Sequence, residues 1–184
     1  MQAAADAVDS SMVSVIGLDA EKCAALCEKA SADSGKSVQI ANYLCKGNYT
    51  VSGDKEACAK LVEIAKPEFK ARMAVPLAVA GAFHTDFMAP AVEKLKAVLE
   101  EVEVKEPRIP VISNVDGKPH GDAASIRKTL AEQVTSPVQW ESQMVDMVAG
   151  DFGSAYELGP GQVCAGILKR ISKPAAANCT NVTV

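Results

Sequence analysis

Apolar residues in the first eighty positions alternate at the two-residue period of strands, then at the 3.6-residue period of helices. Residues 12–18, Met-Val-Ser-Val-Ile-Gly-Leu, are rich in β-branched side chains and predict a strand. Asp19 follows as an N-cap to a helix with Cys23, Leu26, Cys27 and Ala30 on one face. Short strands at 38–42 and 49–52 flank a turn at Lys46, Gly47 and Asn48. Asp54 caps a second helix with the stripe Ala57, Cys58, Leu61, Val62 and Ala65, and a strand at 72–80 closes the set. This βαββαβ order predicts a ferredoxin-like small subdomain over residues 11–80, a four-stranded antiparallel sheet with both helices on one face.

The rhythm then changes. Met88, Val92, Leu95, Leu99 and Val102 predict a helix whose Pro90 lies near its start, where proline is tolerated. Residues 108–114 predict a strand that ends in a turn at Asp116 and Gly117. Asp122 opens a helix with Ile126, Leu130 and Val134 inward, and another helix after Trp140 is expected to bury Met144, Val145 and Val148. A short strand at 155–158, a turn at 159–161 and a helix carrying Cys164, Ile167, Leu168 and Ile171 complete the pattern. Strands alternating with helices imply a parallel sheet, yet two or three strands are too few for a doubly wound core. Residues 81–174 therefore read as part of a larger α/β layer, with 175–184 as a tail.

Composition narrows the function. The 184 residues are 48% hydrophobic and 23% charged, a globular balance with a net charge of −4. That charge argues against nucleic acid or an anionic membrane as partner. No apolar run approaches the roughly 20 residues that span a bilayer. The N-terminus lacks the basic region and apolar core of a secretory signal, so the chain is expected in the cytoplasm, or in a plastid or other organelle of a eukaryote. Six cysteines show no C-x-x-C pair and are expected to be reduced. No metal or cofactor is implied.

Candidate chemistry centres on residues 81–88, Gly-Ala-Phe-His-Thr-Asp-Phe-Met, which hold His84, one of two histidines. At a strand-to-helix junction the imidazole could act as a general base or merely cap the chain. His120, in Lys-Pro-His-Gly-Asp, reads as solvated, and Trp140 as a core anchor. The turn at Gly159, Pro160 and Gly161 could bind an anion at a helix N-terminus, although a structural role suits it better.

Six segments in order resemble the malonyl-CoA:acyl carrier protein transacylases and, more distantly, polyketide synthase acyltransferases. They are Val-Ile-Gly-Leu at 15–18, Gly-Ala-Phe-His-Thr at 81–85, Val-Ile-Ser-Asn-Val at 111–115, Ser-Pro-Val-Gln-Trp at 136–140, Glu-Leu-Gly-Pro-Gly at 157–161 and Leu-Lys-Arg-Ile at 168–171. The resemblance implies a mixed fold in which an α/β-hydrolase-like acyltransferase subdomain, here its C-terminal part, joins the ferredoxin-like one. It also implies malonyl transfer from coenzyme A to the phosphopantetheine thiol of acyl carrier protein, through a serine ester. His84 falls where the family keeps its base, and Gln133 where a main-chain carbonyl orients that base. By the same resemblance Phe83 walls the acyl pocket, while Asn42 and Asn114 are substrate-binding. Leu44 stands where bacterial members carry a polar residue, and Lys169 and Arg170 could face the acidic carrier. No G-x-S-x-G occurs in the sequence. The family's nucleophile, oxyanion loop and carboxylate-binding arginine would precede Met1, so the chain is expected to be an inactive C-terminal portion. The alternatives are a non-catalytic carrier-binding or regulatory module, or a polyketide synthase acyltransferase fragment.

Overall fold

A computed structural model describes residues 1–183. After a short helix α1 (Gln2–Ala5), the chain forms β1 (Ser10–Ile16), α2 (Ala20–Ser34), β2 (Val38–Cys45), β3 (Asn48–Asp54), α3 (Lys55–Ala65) and β4 (Met73–Pro76). The four strands build one antiparallel sheet in the order β2-β3-β1-β4, which fits the predicted ferredoxin-like unit. Val13, Val15, Ile40 and Val51 from the sheet pack with Leu26 and Leu61 of the two helices, all buried. Local sequence sets the helix ends. Asp19 accepts from the Lys22 N–H at 2.8 Å and Asp54 from the Glu56 N–H at 2.9 Å. Gly35 closes α2 in the left-handed conformation, φ 67°, that glycine adopts without strain.

The closing strand is shorter than the expected 72–80. It leaves β1 after Pro76, with one further bond from the Leu77 N–H to the Met12 carbonyl. A 3₁₀ turn at Asp86–Met88 then leads into α4 (Ala89–Glu101). The strand expected at 108–114 does not form. Only Ile112 bridges, to Pro119, because Pro107 and Pro110 lack donors and no neighbouring strand is presented to the run.

Three further helices follow: α5 (Ala123–Glu132), α6 (Trp140–Ala149) and α7 (Val163–Ile171). Asp122 caps α5 as expected, and Ile126 and Val134 are buried. In α6 the expected stripe fails. Val145 is exposed, whereas the polar Gln143 is buried. Cys164 of α7 is also exposed, and Leu168 carries its packing. The residues expected as a tail instead contribute to a helix α8 (Lys173–Ala177) and a strand β6 (Cys179–Val182) that pairs in parallel with β5 (Ala155–Leu158). Among the described residues no helix is long and apolar enough to cross a membrane.

Two links tie the halves together. Val138 donates its N–H to the Ala41 carbonyl at 2.8 Å and accepts from the Tyr43 N–H at 2.9 Å, adding one residue to the free edge of β2. Ser10 of β1 accepts the Ala82 N–H at 3.0 Å, two residues before His84.

Candidate functional site

His84 sits in a tight turn rather than at the end of a strand. Its φ of 61° is left-handed, a conformation that costs a non-glycine residue energy and persists only where neighbours enforce it. Thr85 supplies that enforcement. It is 1% exposed, donates its hydroxyl to the Ala82 carbonyl at 2.6 Å and accepts from the Phe87 N–H at 3.4 Å. The turn is thus cross-linked on both sides of the histidine.

The half-buried ring meets the end of α5. Nδ1 of His84 lies 3.1 Å from the main-chain oxygen of Gln133. A carbonyl only accepts, so Nδ1 carries the proton of this bond, and in the neutral ring Nε2 then holds the free lone pair. Gln133 is the C-terminal capping residue of α5, where carbonyls lack intrahelical partners and the helix dipole is negative. That oxygen complements the positive charge a ring acquires when it takes a proton.

Behind this carbonyl lies a chain of carboxamides. Asn114 donates Nδ2 to Gln133 Oε1 at 3.2 Å, and Gln143 donates Nε2 to Asn114 Oδ1 at 3.1 Å. The Gln139 N–H bonds the Asn114 main-chain oxygen at 2.8 Å. Asn114 therefore spends both ends of its side chain on two glutamines. Gln143 is 3% exposed, and the sequence reading missed it, because a polar residue on an amphipathic helix is assigned to solvent.

The other predicted residues scatter. Phe83 packs against the apolar cluster of Ala4, Ala5, Met88, Ala91 and Val134, which joins α1 to α4 and the end of α5. Asn42 accepts the Thr50 hydroxyl at 2.8 Å on the neighbouring strand. His120 lies in an extended turn, its N–H on the Val111 carbonyl. The N-terminus of α7 already holds an anion from within. Glu157 accepts from the Cys164 and Ala165 N–H groups at 2.8 and 2.9 Å, and these bonds hold its carboxyl below the usual glutamate range.

A cleft of about 600 Å³ between α4 and α5 is lined by Val92, Lys96, Leu99 and Arg127 but not by His84. A smaller one of about 330 Å³ gathers Lys46, Arg72 and Arg170 around Gly17 and Gly47, with Asp19 the one acid among its walls. Lys169 lines a different cleft, between α7 and α8. Among the described residues no three histidine, cysteine or acidic side chains gather as a metal site.

Fold and site together define a mixed α/β protein in which a ferredoxin-like unit abuts a segment whose histidine is held by a helix-terminal carbonyl. No family model matches the chain. Individual relatives do. It is 36% identical over 173 residues to the malonyl CoA-acyl carrier protein transacylase of Bacillus subtilis, covering 94% of this chain and 54% of that protein. It is 37% identical to the mitochondrial malonyl-CoA-acyl carrier protein transacylase of Mus musculus, covering 100% of this chain and 51% of that one. A solved malonyl-transacylase in complex with its type II polyketide acyl-carrier protein superposes with a TM-score of 0.87 at 33% identity, over 98% of this chain and 57% of that chain. The chain is a homologue of the malonyl CoA-acyl carrier protein transacylases along nearly all its length, and it spans little more than half of theirs.

Proposed function

We propose that the chain forms the base-bearing part of a malonyl transferase that moves malonyl from coenzyme A to the phosphopantetheine thiol of acyl carrier protein in fatty acid synthesis. The observation that carries this reading is the 3.1 Å contact of His84 Nδ1 with the Gln133 carbonyl, which leaves Nε2 free. The nucleophile is a serine outside residues 1–184, in the part of the relatives that this chain does not span. In the first step Nε2 takes the serine hydroxyl proton as the oxygen attacks the malonyl thioester carbon. The C–S bond then breaks, and the proton passes to the leaving coenzyme A sulfur. In the second step the carrier thiol gives its proton to Nε2, its sulfur attacks the serine ester, and the serine oxygen recovers the proton. The Gln133 carbonyl orients the ring and offsets its transient charge without becoming protonated.

Other features fit this reading as finer assignments. Phe83 forms a wall of the acyl pocket and favours malonyl over its α-methyl homologue. Asn42 lies at the cleft mouth, and Asn114 acts on the site through Gln133 rather than on substrate directly. The Lys46, Arg72 and Arg170 cleft is a cationic surface suited to an acidic carrier protein. The polyketide carrier bound to the superposed transacylase favours a second reading, the same transfer to a polyketide carrier.

The test compares the 184-residue chain with a fusion carrying the serine-bearing segment of the Bacillus subtilis relative. Labelled malonyl-CoA and holo carrier protein should give no transfer with the chain alone and transfer with the fusion. His84→Ala in the fusion should lower the rate by about 10²–10⁴, the usual cost of losing a general base. A fusion that transfers malonyl equally well without the imidazole would overturn the proposal.

A further inference from the structure

We infer that Gln143 is a positioning residue for His84, acting through Asn114 and Gln133 across three successive hydrogen bonds. The inference rests on the transfer reading only for the name of the ring's task. The geometry itself stands on burial and distance.

The carbonyl that holds His84 belongs to the residue that caps the C-terminus of α5, where the backbone frays because its final groups have no i+4 partner. Its direction must come from elsewhere. The Gln133 side chain is tied to Asn114 at 3.2 Å, and Asn114 is tied in turn to Gln143 at 3.1 Å. The Asn114 backbone is already fixed, since Gln139 donates to its oxygen and Ser113, its 4%-exposed neighbour, donates its N–H to the Lys118 carbonyl and accepts the Val115 N–H on its hydroxyl. Gln143 sits on the first turns of α6, which is anchored to the small sheet by Val138. A rigid origin on α6 thus reaches a soft helix end on α5 through two side chains.

Burial shows that this is a built connection. Gln143 is the one residue of α6 counted as buried, although the helix carries Val145 and Met147, which are exposed at 47% and 43%. Burying a carboxamide in place of an available valine or methionine costs free energy unless its hydrogen bonds are made. Gly117 lies directly over it, and a Cβ there would come within 3.6 Å of the Gln143 Cγ and 3.0 Å of the Ser142 hydroxyl. The loop above Gln143 thus lies in ordinary van der Waals contact with this side chain and closer still to Ser142.

The readout uses the protein as it is and needs no turnover. With two histidines, a sample labelled with ¹⁵N-histidine gives two imidazole spin systems, and His120 serves as internal control. In the parent protein His84 should populate mainly the Nδ1–H tautomer at high pH, enforced by the Gln133 carbonyl. Gln143→Met keeps the volume and removes both amide donors. The Nδ1–H to Nε2–H ratio of His84 should fall about two- to tenfold, the size of one net hydrogen bond, while His120 stays unchanged. Asn114→Asp, which replaces the donor facing Gln133 by an acceptor, should shift the ratio the same way. An unchanged His84 ratio in either folded variant overturns the inference. Loss of the dispersed amide spectrum in both also overturns it, since that would make the network a support of the fold and not of the ring. Failure of the fusion to transfer malonyl, with the tautomer shift intact, would sink the transfer reading alone.

Discussion

Replacing Val138 by proline should separate the two halves more than its lost side chain explains. Val138 is 8% exposed and forms a one-residue extension of β2, giving its N–H to Ala41 and taking the Tyr43 N–H. Ala41 is fully buried and lies at an irregularity where β2 and β3 slip register, so Val138 is the donor its carbonyl receives. Proline removes that donor, and a buried carbonyl left unpaired costs about 1–3 kcal/mol. Val138→Ala is the control. It keeps the N–H and loses two methyl-sized groups, about 1.6 kcal/mol at roughly 0.8 each. Urea unfolding followed by Trp140, the single tryptophan and two residues away, should place the proline variant about 0.5–1.5 M below the alanine variant for a slope near 2 kcal/mol/M. The Tyr43 amide should lose protection from exchange in the proline variant only. Coincident midpoints for the two variants, with Tyr43 equally protected, would refute the idea that the Val138 bridge helps to join the halves.

Three further outcomes can be checked. In the fusion, Phe83→Ser should raise methylmalonyl over malonyl by at most about 10–200-fold, the worth of one methyl in an apolar pocket, and competition between the two thioesters measures it. Glu157 has a depressed carboxyl, so its contribution is present above the ordinary glutamate value of 4.5 and is lost as pH falls through the lower folded value. The Cys164 and Ala165 amides should lose protection in acid, and Glu157→Gln should flatten that dependence; identical acid profiles in both proteins would contradict the cap. Burial pushes the Cys58 thiol up to about 11, and hydrogen bonding to Cys23 together with burial pushes Cys27 up as well. Alkylation at pH 8 should therefore label the exposed Cys164 first and reach Cys23, Cys27 and Cys58 only in denaturant, as peptide mapping would show.

Much of the small subdomain, together with the start of α5, was legible because the signals are local. Asp19, Asp54 and Asp122 cap helices with their own side chains, and the faces with Leu26 and Leu61 follow from spacing along one helix each. His84 stood out through scarcity and position, whereas the use of the Gln133 backbone came from family resemblance, since any residue type carries a carbonyl. Non-local pairings decided the rest. The apolar run at 108–114 formed no strand because a strand needs a partner as well as a pattern. Ala155 found its partner in Cys179, 24 residues away, across a helix pair that no period predicts. Gln143 looked like a solvent-facing residue of α6 and became its buried one, because Asn114, from a loop 29 residues earlier, arrives to accept its proton. A sequence records what each side chain can donate or accept, and only the folded chain decides which groups are brought within 3 Å of one another in a place where water cannot compete.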